Sequence, residues 1–121
     1  MISEFLWLEL IEESEYSIHC SCNLPNPDFY DDEEMIQCGD VFYNFAPQMD
    51  APIISINLFD NLKELCVGDT YQRKDFVEMI IFSLKMNYGV AYADPHIELK
   101  DCWGIYSGNL NSIDSIIRSM D

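Results

Sequence analysis

At 121 residues the chain has the length of one domain, enough to bury a core without metal or disulfide staples. An apolar share of 49% and an aromatic share of 13% exclude a disordered acidic tail. Twenty-two acids against six bases, a formal charge of −16, argue against phosphate backbones and anionic lipid as partners and in favour of a cationic one.

The charge is unevenly placed. Lys63 is the first base, so residues 1–62 hold thirteen acids and no base, while the remaining 59 residues hold nine acids and six bases. Met1-Ile2-Ser3-Glu4-Phe5 lacks the basic opening and small-residue cleavage site of a signal peptide. Apolar runs such as Met79 to Phe82 are far short of a membrane span, and the expected compartment is the cytoplasm. The odd set of Cys20, Cys22, Cys38, Cys66 and Cys102 is then expected as reduced thiols.

In chain order, residues 3–13 fit either a helix capped by Ser3, exposing Glu9, Glu12 and Glu13, or a buried strand turning at Glu13-Ser14. Residues 15–22 alternate, with Tyr16, Ile18, Cys20 and Cys22 on one face and Ser17, His19 and Ser21 on the other, which predicts a half-buried strand. Asn23-Leu24-Pro25-Asn26-Pro27 should break it, because proline cannot donate to a ladder. After the acidic loop 28–34, Met35 to Cys38 and Asp40 to Phe45 read as two strands parted near Gly39. Pro47 and Pro52 bracket another loop, and Ile53 to Leu58 is rich in β-formers.

The spacing of Phe76, Ile80 and Leu84, with Val77, Met79 and Ile81 beside them, predicts a helix from about Thr70 to Tyr88. Asp75-Phe76-Val77-Glu78 has capping-box spacing, Thr70 offers a start one turn earlier, and Gly89 suits the stop. Residues 90–106 read as two short strands around Asp94-Pro95, with Trp103 and Ile105 sharing a face and Trp103 in the core. Ser112 caps a last helix, Ile113 to Met120. The sum is a single α+β domain over residues 1–121, a small antiparallel or mixed sheet with helices packed on one face.

No catalytic or metal constellation is expected. In a strand, Cys20 and Cys22 share a face while His19 points the other way, and no second cysteine pair completes a zinc knuckle. His19 and His96 are the only histidines, no nucleophile motif is present, and the five glycines form no phosphate cradle. No cofactor is implied, and binding is favoured over catalysis.

The feature singled out is the acidic loop. Asp31, Asp32, Glu33 and Glu34 suit Lys and Arg of a partner, and Phe29 and Tyr30 suit aromatic anchoring. The plain alternative is a solvated connector, but a first half free of bases favours an interface, which Glu9, Glu12, Glu13 and Glu15 could extend. Small size, an α+β pattern and intense acidity together make the chain resemble the immunity proteins of bacterial contact-dependent growth-inhibition and other polymorphic-toxin systems. The resemblance is one of profile, without a shared motif. It implies a cytoplasmic protein that binds a basic nuclease toxin domain and covers its cationic surface. The second reading is a phage- or plasmid-encoded acidic mimic of nucleic acid that inhibits a restriction or CRISPR effector. A mimic needs carboxylates along much of the chain, whereas here they concentrate in its first half.

Overall fold

The computed structural model describes residues 5–25, 35–46, 52–62, 73–88, 95–101 and 104–109. Among these residues, six strands form one mixed sheet in sequence order: β1 (Trp7–Glu13), β2 (Ser17–Pro25), β3 (Met35–Asn44), β4 (Ile53–Leu58), β5 (His96–Asp101) and β6 (Gly104–Gly108). Neighbours are antiparallel except β4 and β5, which are parallel. Parallel neighbours need a crossover, and the helix α1 (Arg73–Tyr88) lies in that connection.

Registered partners lie on one face of a sheet, so pairing assigns every side chain. Leu8 faces Cys22, Ile18 faces Tyr43, Cys20 faces Val41, and Ile56 faces both Val41 and Leu99. All of these are buried, and this face makes the core together with Phe76, Val77, Ile80 and Leu84 of α1. Met79 and Ile81 pack at its margin, as the helical spacing predicts, while Phe82 and Met86 face outward. Cys20, Cys22 and Cys38 are buried cysteines of the core. Burial pushes the Cys22 thiol well up, and the neighbouring Cys38, Cys20 and Asp40 push it the same way. The Tyr88 hydroxyl donates to Cys20, linking the end of α1 to the middle of β2.

Several expectations change. Residues 7–13 form a strand, so the helical alternative for 3–13 is wrong there. β2 runs on through Pro25, which pairs with Met35, because proline at a strand end forfeits little of the ladder. Met35 to Asn44 is one strand, not two. An irregularity absorbs the extra residue, since Cys22 faces Gly39 and Asn23 already faces Gln37. Asp75 sits inside the first turn of α1 rather than capping it. The two late strands among the described residues, β5 and β6, both follow Pro95, and residues 90–94 of the expected first strand lie outside the described residues; Tyr106 is buried against Leu99 while Ile105 is 82% exposed. The expected Trp103 core position, the Ser112 cap and the 113–120 helix lie outside the described residues.

Candidate interaction surface

The second face of the sheet is built from the residues alternating with the core. On β1 it carries Trp7, Glu9 and Glu12, which face Asn23, Ser21 and His19. Across β3 to β6 two rungs follow: Phe42, Ser55, Glu98 and Ser107, then Asp40, Asn57, Lys100 and Ile105. The face is closed at Ser21 and Asn23, which are buried, with the Asn23 amide donating to the Ser21 hydroxyl at 3.0 Å. Trp7 is 62% exposed and Phe42 48%.

Phe42 is held in place from one side. Its ring stacks on His19 at 4.0 Å between centroids. His19 in turn meets the Asp40 carboxylate at 3.2 Å, and the Gln37 amide donates to the same oxygen at 3.1 Å. Beyond Phe42 a trough of about 450 Å³ opens, floored by Ser55, Asn57 and Glu98 and flanked by Ile105 and Ser107. Ser55 donates to Glu98 at 3.4 Å, and Ser107 bonds the His96 ring at 3.1 Å. His96 also opens β5 by donating its backbone N–H to the Pro52 carbonyl at 3.0 Å, so it holds a structural position.

The outer strand β1 differs in character. It pairs with β2 alone among the described strands, and its register slips between Leu10 and Glu12. Glu9, Glu12, Glu13 and the following Glu15 are all exposed. So are Trp7, Leu10 and Ile11, together with Phe5 just before the strand. Acids and large apolar groups therefore share one edge.

No family model, curated protein or solved structure matches the chain. The surface has to be read from its own chemistry.

Phe29, Tyr30, Asp31, Asp32, Glu33 and Glu34 lie outside the described residues. The residues bordering that segment are placed: Pro25 pairs with Met35, two positions along β2 from Asn23, which faces Trp7. Of the other N-terminal acids, Glu9, Glu12 and Glu13 come together on β1. Sequence reasoning missed Trp7, Phe42 and Ile105. For Phe42 a signal existed, since Val41 and Tyr43 flank it and a half-buried strand buries every second residue. His19 lies on the face opposite Cys20 and Cys22, and no group of three or more metal-ligating side chains occurs among the described residues.

Proposed function

We propose that this protein is a cytoplasmic immunity protein that binds a basic toxin domain, a nuclease, and neutralises it by covering its cationic surface rather than by any catalysis of its own. In this reading α1 and the helix expected over Ile113 to Met120 back one face of the sheet, and the acidic strand β1 and the 28–34 loop meet the partner. The supporting observation is the β1 edge, where exposed Glu9, Glu12 and Glu13 stand beside exposed Trp7 and Ile11. Aromatic anchors supply contact area, and unbalanced negative charge speeds encounter with a positive surface and selects for it. The base-free first 62 residues support the same reading.

The test is a search of the neighbouring genes for a toxin C-terminal domain immediately upstream, followed by co-expression of this chain with that domain. Rescue of growth, with a complex whose association slows as salt rises, is the expected result. Exchanging Asp31, Asp32, Glu33 and Glu34 for Asn and Gln should slow association roughly tenfold at low salt and flatten its salt dependence. Tyr30→Ala should instead hasten dissociation. Failure to bind any basic toxin domain, with binding to a restriction or CRISPR effector, replaces this reading with that of a nucleic-acid mimic.

A further inference from the structure

We propose that β1 is a docking edge that accepts an extended basic segment of the partner as a seventh strand, added antiparallel or parallel beside Trp7–Glu13. The proposal rests on the basic-partner reading above and specifies how the partner is held. An outer strand presents a row of backbone donors and acceptors that a further strand can satisfy, and side chains at alternate positions then decide which strand is accepted. β1 pairs only with β2 among the described strands, and its register is regular from Trp7 to Leu10 before the slip at Ile11. The opposite edge, β6, spans only five residues and carries no charge. β1 has seven residues with three exposed glutamates and no base.

Charge selects the occupant. Glutamates and an irregularity on an edge guard against pairing with like strands. They do not explain why Trp7 and Ile11 remain 62% and 55% exposed beside them, because protection alone is better served by polar residues. A second copy of the chain is a poor occupant. Each copy carries −16, and antiparallel self-pairing in neighbouring registers sets Glu9 against Glu12 or Glu13 of the second copy. A strand with Lys or Arg at alternate positions sets its cations along the face that carries Glu9 and Glu12, turning those carboxylates into attractive cross-strand partners, with Trp7 and Ile11 offering apolar contact.

The probe is a capped seven-residue peptide alternating lysine and valine, added to the intact protein at low salt. Controls are the glutamate–valine counterpart and a lysine–valine peptide methylated on alternate backbone nitrogens. Backbone amide exchange is followed by NMR. The expected result is slowed exchange at alternate amides of Trp7–Leu10 with the basic peptide only. Combining Glu9→Gln, Glu12→Gln and Glu13→Gln should weaken binding roughly tenfold. Equal binding of the methylated peptide, or binding that leaves Trp7–Leu10 exchange unchanged, overturns strand addition while the basic-partner reading stands. Absence of peptide binding at millimolar concentration overturns strand addition too, and the toxin complex then decides the broader reading separately. Protection of these amides by a concentration-dependent dimer, without peptide, overturns the proposal in favour of a second copy.

Discussion

Gly39 shows how one missing side chain can set the spacing of two strands. It sits where β3 absorbs its extra residue, and a Cβ there would lie 2.5 Å from the Asn57 carbonyl oxygen and 3.0 Å from a Leu58 methyl. Backbone cannot yield as a flexible side chain can, so Gly39→Ala should destabilise the fold by about 1–3 kcal/mol. A urea midpoint equal to that of the unmodified protein would show that β3 and β4 separate freely. The thiols make a second prediction at this scale. Burial raises the pKa of both Cys20 and Cys22, the hydrogen bond from Tyr88 partly offsetting the rise at Cys20. Burial, with the bond to Cys20, pushes the Tyr88 hydroxyl up to about 12. Raised values mean that the unfolded chain gives up these protons first. Their contribution to stability is therefore intact below the ordinary thiol value of 9.0 and is lost as pH climbs towards 12. Urea midpoints that fall between pH 8 and pH 11 are the expected outcome, and a flat profile counts against burial of these groups. In native protein, Cys20, Cys22 and Cys38 should also react slowly with an aromatic disulfide reagent, because none is exposed.

At the scale of elements, Phe76, Val77, Ile80 and Leu84 of α1 belong to the same buried cluster as the strand residues. Ile80 is fully buried in the middle of the helix. Ile80→Asp sets an unpaired carboxylate there, at a cost of several kcal/mol (about 3 or more), enough to unfold a domain of ordinary stability. A thermal transition within a few degrees of the unmodified protein's would contradict the placement of α1. The helix was legible in the sequence because Phe76, Ile80 and Leu84 recur at helical spacing. Its start was less so. Asp75 followed by Glu78 has the spacing of a cap, but the same spacing recurs inside helices, and here the helix has begun by Arg73.

For the whole molecule, the −16 charge sets two opposing tendencies, solubility against self-repulsion. Salt screens charges separated by more than about 10 Å at 0.1 M ionic strength. Raising sodium chloride from low to moderate concentration should therefore raise the melting temperature by several degrees, roughly the effect of 1 kcal/mol on a domain of this size. Calorimetry decides it, and a melting temperature that falls with salt would mean that attractive ion pairs outweigh repulsion. No helix among the described residues is long and apolar enough to cross a membrane.

Composition and periodicity by themselves determined the acidity of the chain, the shared buried face of Ile18, Cys20 and Cys22 (though not Tyr16, which is exposed ahead of β2) and the buried stripe of α1, because each depends only on residues close together in the chain. They also showed where the bases are missing, which underlies the proposed interface. Only the tertiary structure decided what depends on a distant neighbour. Residues 7–13 are a strand because β2 supplies their partners, and β3 is continuous because the ladder with β2 accommodates one extra residue. Tyr106 is inside and Ile105 outside because pairing with Leu99 fixes the face, whereas alternation alone leaves both choices open. The gathering of Glu9, Glu12 and Glu13 with Trp7 on an outer edge belongs to the same class. Strand order creates an edge, and no local pattern reveals which strand will stand outermost among the described strands.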